Sequence, residues 1–305
     1  MRAPAEVAPL GRDDRPLAAA GWMLLALLCF STMAVAGREA AAELSTFELM
    51  TWRSLIGVVI VVSALGLRGR LHEIRFRNLG LHAARNVFHF TGQNLWFFAV
   101  TAIPLAQLFA YEFTSPIWIA VLAPFVLRER FTGVRATAAL LGFAGILVVA
   151  RPWTAEGSAA FGIGQTAALG AAVCFAFNLM FTKKLSRTES MASIMFFMVG
   201  LQSLFGLATA GWDLEIAVPT SATLHWVLLV SVCGLAAHFC VASALSLAPA
   251  TVVSPMEFLR LPMIAVVGVL LYAEPLEPFV LIGAALVMGG NLLNMRAERR
   301  RVAAG

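Results

Sequence analysis

The sequence predicts an all-α polytopic membrane protein whose ten transmembrane helices form a 5+5 inverted-topology repeat. Three observations lead to this fold class: an apolar composition, ten apolar segments of membrane-spanning length, and a second half that repeats the first at a fixed offset. Of the 305 residues, 60% are hydrophobic and 13% are charged, whereas soluble domains carry about 25% charged residues. A soluble core of this length could not bury so much apolar surface.

Each apolar segment is long enough to cross a hydrocarbon layer of about 30 Å, which takes about 20 helical residues. Closed β-barrels also span membranes, but their strands would give short alternating segments, and these runs are continuous. We place the fourth and ninth starts at Pro104 and Pro249, because proline fits the first turn of a helix. The predicted spans are 17–37, 46–67, 78–101, 104–127, 134–151, 161–182, 190–210, 222–246, 249–272 and 278–295.

The distribution of basic residues predicts that both termini are cytoplasmic. With the N-terminus inside, 17 of the 22 lysines and arginines fall in cytoplasmic segments, and the outer connections hold only Arg38 and Arg151. This asymmetry follows the positive-inside rule, so the net charge of +5 needs no nucleic-acid partner. We expect a plasma-membrane protein of the bacterial inner-membrane type. Its predicted parts are a tail (1–16), two five-helix repeats (17–151 and 161–295) and a basic tail (296–305).

The second half of the chain repeats the first at an offset of 145 residues. PLAQLFAYEFTSPIWIAVLAPFVLRE, from Pro104, aligns without gaps to PATVVSPMEFLRLPMIAVVGVLLYAE, from Pro249. The shift superimposes Glu112 on Glu257 and Gly145 on Gly290. Five spans per half force the second half to enter the membrane inverted, which is how many secondary transporters are built around a site near the middle of the membrane.

These features resemble the drug/metabolite transporter superfamily, and in particular its EamA-type branch. The resemblance rests on the 5+5 repeat, on an acidic residue just past spans 4 and 9 (VLRERFT and LYAEPLE), and on glycine-rich spans 5 and 10 (LGFAGILVV and IGAALVMGG). It covers about residues 17–295. The resemblance implies secondary transport of small organic metabolites, often export, through a central cavity, and scaffold helices at spans 5 and 10.

Two intramembrane glutamates are functional candidates, because ionisable side chains are costly inside a membrane. Arg260 follows Glu257 by three residues, so we expect an ion pair within that helix. Glu257 would then be structural, and Glu112 would be the better candidate for a proton carrier. Proton coupling stays open, because the glutamate that the small multidrug members of the superfamily carry in their first helix has no counterpart in spans 1 and 6.

Span 3 carries polar side chains on one face. His82, Arg85, His89, Gln93 and Trp96 follow one another at helical spacing, which favours the wall of a wet cavity over isolated packed residues. In the second half, His238 takes the place of Gln93. We therefore predict that spans 3, 4, 8 and 9 enclose the substrate. The predicted binding residues are Arg85, His89, Gln93, Trp96, Glu112, His238, Glu257 and Arg260.

The deep charges favour an acidic substrate. Arg53, Arg85 and Arg260 outnumber Glu112 and Glu257 by one, so either Glu48 balances the sum or an anionic group of the ligand does. We expect export or exchange of a small metabolite, such as an amino acid or another carboxylate- or phosphate-bearing compound. Protons are a candidate coupling ion, and we expect a monomer or homodimer in the lipid bilayer.

Other classes of function fit less well. His72-Glu73 begins a sequence like the HExxH zinc motif, but Phe76 occupies the position of the second zinc-binding histidine. No Walker loop is present, so the chain itself has no ATPase signature. We expect no catalytic residue, metal ion or cofactor. A non-transporting membrane sensor or assembly subunit remains the alternative, because a polar stripe can also serve as a contact between subunits.

Overall fold

The computed structural model describes residues 15–126, 133–151, 162–213, 215–248 and 253–304. Regular structure within these ranges is entirely helical, as the sequence predicts. The α-helices are α1 (Pro16–Ala40), α2 (Thr46–Leu67), α3 (Leu79–Ala102), α4 (Leu105–Glu112), α5 (Ser115–Val126), α6 (Gly133–Ala150), α7 (Ile163–Leu185), α8 (Met191–Ala210), α9 (Ser221–Leu247), α10 (Arg260–Tyr272) and α11 (Pro278–Ala304). Two 3₁₀ segments, Leu71–Glu73 and Ser254–Leu259, precede α3 and α10.

Six of the described helical segments are both long and apolar enough to cross a membrane, so the protein is a multi-pass membrane protein. They are Leu17–Ala40, Thr46–Leu67, Leu105–Val126, Ile163–Leu185, Met191–Ala210 and Ser221–Ala244. Two shorter apolar stretches, Ala136–Ala150 and Pro278–Leu293, belong to α6 and α11. Helix α3 has 24 residues, about 36 Å at 1.5 Å per residue, but its polar face lowers its hydropathy.

The fourth predicted span is not one continuous helix, because α4 ends at Glu112 and α5 begins at Ser115. Pro116 explains the break: it has no N–H, so the Glu112 carbonyl cannot receive the usual helical hydrogen bond. The Ser115 hydroxyl donates to that carbonyl instead, at 2.8 Å. Pro104 caps α4 as predicted, whereas Pro249 lies outside the described residues.

Side chains of the sequence itself define several helix ends. Ser45 and Glu48 form a capping box at the start of α2, in which the Glu48 N–H donates to Ser45 Oγ at 3.3 Å and the Ser45 N–H donates to Glu48 Oε2 at 2.8 Å. Asn78, just before α3, has a left-handed backbone with φ of 50°, which asparagine tolerates better than most residues. Its amide donates to Glu189 Oε1 at 2.6 Å, so the start of α3 is tied to the connection before α8.

Two acidic side chains outside the spans hold connections by hydrogen bonds. Glu43 accepts from the Thr220 N–H at 2.8 Å at the start of α9. Hydrogen bonds, first from the Thr223 hydroxyl and then from the Thr220 N–H, lower the pKa of the Glu43 carboxyl. Arg70 donates to Glu73 at 2.5 and 2.9 Å, and this hydrogen bonding lowers the pKa of Glu73. Both carboxylates are therefore ionised acceptors at neutral pH.

The chain divides into two compact units, each drawn from both halves of the sequence. The α2/α3 unit comprises Thr32–Ile103 and Phe161–Leu235. The α4/α10 unit comprises Met1–Ser31, Pro104–Ala160 and Ala236–Gly305. Helices α1 and α9 contribute to both units, because the divisions fall within them at residues 31/32 and 235/236.

Glycines allow close helix packing in the α4/α10 unit, between the helices that contain predicted spans 5 and 10. A Cβ on Gly145 of α6 would lie 2.6 Å from the Gly283 carbonyl oxygen of α11, and a Cβ on Gly283 would lie 2.6 Å from the Gly145 carbonyl oxygen. A Cβ on Gly290 would lie 2.8 Å from the Ala138 carbonyl oxygen. A Cβ on Gly142 would meet the Ile117 side chain of α5. The absence of side chains at Gly145, Gly283 and Gly290 therefore lets the backbones of α6 and α11 approach closely.

Candidate functional site

The eight predicted binding residues divide evenly between the two units. Arg85, His89, Gln93 and Trp96 belong to the α2/α3 unit, and Glu112, His238, Glu257 and Arg260 belong to the α4/α10 unit. Each unit holds four of these residues among further side chains that the sequence did not single out.

Arg85 lies in a polar cluster inside the α2/α3 unit. It is 6% exposed, and its Nε donates to Thr182 Oγ1 of α7 at 2.9 Å. A second nitrogen donates to Asn86 Oδ1 at 3.2 Å, and a third lies 3.7 Å from the Met198 sulfur. A buried guanidinium requires acceptors for its five N–H groups. Among the described residues, the acceptors that Arg85 contacts are all uncharged.

Arg53 of α2 is also a buried arginine with uncharged hydrogen-bond partners. It is 8% exposed and donates from one terminal nitrogen to Gln93 Oε1 at 3.0 Å and to the Met50 sulfur at 3.4 Å. Gly234 of α9 leaves room for it, since a Cβ there would lie 3.0 Å from the guanidinium. Glu48, which we considered as its counter-charge, is used in the capping box and accepts from the Ala217 N–H at 2.9 Å.

The rest of the α3 stripe forms a hydrogen-bonded chain of amides and imidazole. Gln202 of α8 brings its Nε2 to 2.5 Å from His89 Nδ1 and to 3.5 Å from Asn86 Oδ1. The Asn86 amide donates to the His82 carbonyl at 2.8 Å. His89 and Gln202 are each 3% exposed, so the cluster is shielded inside the unit.

Aromatic rings surround this cluster. The His89 ring lies 6.3 Å from Phe175, and Trp96 is buried edge-on against Phe97 at 5.1 Å. The Asn94 and Asn178 side-chain oxygens are buried, and neither accepts a hydrogen bond from the described part of the chain. The α2/α3 unit therefore combines two guanidiniums, several amides and flat aromatic faces, a set suited to a ligand rich in hydrogen-bond acceptors.

The second cluster centres on Arg260, the first residue of α10. Its guanidinium forms an ion pair with Glu112 of α4, with Nη2 2.5 Å from Oε1. The same guanidinium carbon lies 5.0, 4.8 and 5.3 Å from the ring centres of Phe30, Phe109 and Phe113. Cation–π attraction is strong at such distances when the site is desolvated.

The expected ion pair between Glu257 and Arg260 is not formed, so that prediction was wrong. Glu257 lies in the 3₁₀ segment before α10, and Arg260 is bound to Glu112 instead. Glu257 is exposed, and among the described residues no side chain forms a hydrogen bond or ion pair with its carboxylate. The glutamate that pairs with Arg260 is therefore Glu112 and not Glu257.

His238 shares an aromatic neighbour with the ion pair. Its exposed ring packs edge-on against Phe30 at 5.7 Å, and Phe30 also contacts Arg260. A cavity of about 210 Å³ in the same unit is lined by apolar side chains only, namely Ala20, Met23, Leu24, Leu27, Met256 and Leu259. It offers no group that could orient a polar metabolite.

Comparison with known proteins identifies the family. The sequence profile of the EamA-like transporter family matches residues 17–151 and again residues 162–296. The chain belongs to the EamA-like transporter family. It is therefore a membrane transporter of a small metabolite and not an enzyme, and the resemblance to the drug/metabolite transporter superfamily is confirmed.

Several EamA relatives have named substrates. The chain is 30% identical to a "Riboflavin transporter" of Brucella anthropi over 81% of this chain and 87% of the relative. It is 29% identical to a "Riboflavin transporter" of Rhizobium johnstonii over 94% of both chains. An "S-adenosylmethionine uptake transporter" of Rickettsia felis is 23% identical over 92% of this chain and 93% of the relative.

A solved crystal structure shares the EamA chain's fold with a TM-score of 0.61. It is 19% identical and covers 92% of this chain and 98% of its own. Within the described residues of this EamA protein, no three histidine, cysteine, aspartate or glutamate side chains are grouped to hold a metal ion.

Sequence reasoning missed several members of the α2/α3 cluster of this EamA protein. Asn86, Thr182 and Gln202 complete the network around Arg85 and His89. Thr182 and Gln202 come from helices without a polar stripe, so periodicity gave no signal for them. The position of Gln202 did offer a different signal. It is an amide near the middle of the apolar segment 190–210, where an unpaired polar group is costly.

Proposed function

We propose that the protein takes up a metabolite with a flat heteroaromatic ring and a polar tail, with riboflavin as the first candidate. Riboflavin and S-adenosylmethionine, the compounds in the relatives' names, share this chemistry. The proposal moves the direction from export to uptake, which is the word used for the Rickettsia felis relative. Transport would proceed by alternating access between the two repeats.

The observation that carries this proposal is the pair of buried guanidiniums with neutral partners in the α2/α3 unit. The pyrimidine-dione edge of a flavin presents two carbonyl oxygens and ring nitrogens, which are acceptors for Arg53 and Arg85. Gln93 and Gln202 offer both donors and acceptors for the imide N–H and the hydroxylated tail. The surrounding Phe and Trp rings suit the faces of a flat ring.

Fluorescence of the flavin provides the test. We expect proteoliposomes of the purified protein to accumulate riboflavin above protein-free liposomes, and unlabelled riboflavin to compete. S-adenosylmethionine and adenosine, offered as competitors, report whether the site accepts other ring systems. Absence of riboflavin accumulation, together with an unchanged melting temperature in its presence, would reject the flavin assignment, because a ligand that binds the folded protein raises its apparent stability.

A carboxylate- or phosphate-bearing metabolite is the second candidate. Arg53 and Arg85 have no carboxylate partner among the residues that the structure describes, so an anionic ligand would supply the missing charge. Competition by flavin mononucleotide distinguishes the two candidates: the phosphate should strengthen competition if the guanidiniums read charge. Amino acids in the same assay test the compounds that we first expected.

We also propose ten spans in a 5+5 inverted topology, with both termini in the cytoplasm of a bacterial inner membrane. Support comes from the two profile matches, 17–151 and 162–296, and from the 17 basic residues in the predicted cytoplasmic segments. The fourth span would comprise α4 and α5, and the ninth would comprise the Ser254–Leu259 segment and α10. Broken helices at corresponding positions of the two halves are common at transporter binding sites.

Proton coupling is a further proposal and has a direct measurement. Glu257, the glutamate without a partner in the described residues, is the candidate carrier. Uptake by wild-type proteoliposomes should increase when an inward proton gradient is imposed and should fall when an ionophore dissipates it. Equal uptake with and without the gradient would exclude coupling to protons.

A further inference from the structure

One partly buried arginine, Arg260, pairs with one of two glutamates that occupy equivalent positions of the sequence repeat. Glu112 and Glu257 are related by the offset of 145, and the same offset places Ser115 opposite Arg260. The first half therefore has no arginine of its own at this position. Its Ser115 hydroxyl serves the backbone, donating to the Glu112 carbonyl at 2.8 Å.

The pairing in the structure is one-sided. Arg260 binds Glu112 at 2.5 Å and is enclosed by three phenylalanine rings. The Nε of Arg260 is buried and has no acceptor within the described residues, so the guanidinium retains an unused donor. Glu257 lies three residues before Arg260.

Local geometry allows Arg260 to change partner without moving its backbone. The Arg260 N–H donates to the Glu257 carbonyl, which is the i to i+3 bond of a 3₁₀ segment. Side chains three residues apart in a 3₁₀ segment lie directly above one another. Rotation about the side-chain bonds of Arg260 and Glu257 would therefore bring the guanidinium to the second carboxylate.

We propose that Arg260 is a shared counter-ion, paired with Glu112 in the state described here and with Glu257 in the alternate state of the transport cycle. The inference rests on alternating access by two repeats, in which each repeat takes the other's conformation when the transporter reorients. An unpaired cation inside the membrane is costly. Arg260 would leave one glutamate only as it meets the other, so Arg260 acts as a positioning residue for reorientation.

A fixed ion pair makes different predictions for the same substitutions. If Arg260 serves Glu112 alone, Glu112→Gln strands the arginine and destabilises the protein, Glu257→Gln changes nothing, and the double variant equals Glu112→Gln. If Arg260 is shared, each single variant keeps one carboxylate for Arg260, and only the double variant strands it.

The decisive experiment is a double-mutant cycle on the melting temperature of the purified protein. Sharing predicts that Glu112→Gln and Glu257→Gln each melt within about 3 °C of the parent and that the double variant melts at least about 5 °C below the sum of their shifts. A double variant that melts like Glu112→Gln would overturn the proposal. If the double variant does not fold, the melting temperature of Glu112→Gln decides alone, because a fixed pair requires a drop of about 6 °C or more.

Transport gives a second readout that stability cannot mimic. Each folded single variant should lose at least about ten-fold in net uptake, because it is held in one state, at a loss of about 1.4 kcal/mol per ten-fold. Glu277→Gln is the matched control: Glu277 pairs with Arg151 in the same unit and should transport like the parent. Normal uptake by Glu257→Gln would contradict sharing. The melting cycle needs no substrate, so it stands even if the wild-type protein does not carry riboflavin.

Discussion

Arg260 and Glu112 form an ion pair across 148 residues of sequence, with a closest nitrogen–oxygen distance of 2.5 Å. The pair joins the start of α10 to the end of α4. Both partners therefore lie where the fourth and ninth predicted spans depart from regular α-helix. The adjoining Phe113 and Phe258, equivalent in the repeat, contact each other edge-on at 5.5 Å. The ion pair and the two rings therefore hold the end of α4 against the start of α10.

The aromatic cage of Arg260 predicts that lysine cannot replace it. Lysine keeps the charge, but its compact ammonium cannot stack on three rings or form a planar fork with a carboxylate. We expect Arg260→Lys to lower the melting temperature by about 3–8 °C, for a loss of about 1–2 kcal/mol. Phe109→Leu should cost less in the Arg260→Lys background than in the parent. Additive shifts would show that the rings do not contribute through the cation.

The two intramembrane glutamates show where sequence reasoning succeeded and where it failed. The repeat located Glu112 and Glu257, because an ungapped offset is visible in sequence alone, and Arg260 was singled out by its spacing from Glu257. The predicted pair between Glu257 and Arg260 was wrong, because a spacing of three residues favours a local ion pair only within a regular helix. The 3₁₀ segment before α10 and a partner 148 residues away are both set by tertiary packing.

In the α2/α3 cluster, too, the sequence indicated some of the polar residues but not their partners. The stripe of α3 was predicted from its period, and its members are buried as a group. Its partners Thr182 and Gln202 lie on the mostly apolar helices α7 and α8, and nothing in the sequence indicates that they face α3. The glycine contacts of α6 and α11 were predictable, because small residues recur at the same places in both halves.

Two glycines of α11, six residues apart, give opposite predictions for one substitution. A Cβ on Gly283 would lie 2.6 Å from the Gly145 carbonyl oxygen, whereas a Cβ on Gly289 has no atom within 4 Å. We expect Gly283→Ala to destabilise by about 1–3 kcal/mol through overpacking. Gly289→Ala should be neutral or stabilising by up to about 1 kcal/mol, because alanine favours helix. Denaturation followed by intrinsic tryptophan fluorescence measures both, and equal effects would contradict the close packing of α6 and α11.

The proposed topology predicts opposite labelling of two serines on either side of α7. Ser158, outside the described residues, falls in a predicted outer connection, and Ser186 caps the C-terminal end of α7. In a background without the four cysteines, Ser158→Cys should react with a membrane-impermeant maleimide in intact cells. Ser186→Cys should react only after permeabilisation. Reaction of both from one side would exclude a span between them.

The hydrogen bond from Arg53 to Gln93 predicts a variant that folds but does not transport. Gln93→Glu keeps the shape of the side chain and places a carboxylate 3.0 Å from a buried guanidinium, so the melting temperature should not fall. The new carboxylate would satisfy the donors that we assign to the substrate, and uptake should fall at least about ten-fold, or about 1.4 kcal/mol. Gln93→Leu should instead lower the melting temperature, because it removes an acceptor from buried Arg53 at a cost of about 1–3 kcal/mol.

Gln165→Glu is the matched control and should transport normally. Gln165 lies at the start of α7 and accepts from the Gly162 N–H at 3.0 Å. Full uptake by Gln93→Glu would remove Arg53 from substrate recognition, whereas uptake lost in Gln165→Glu as well would assign the effect to added negative charge in general.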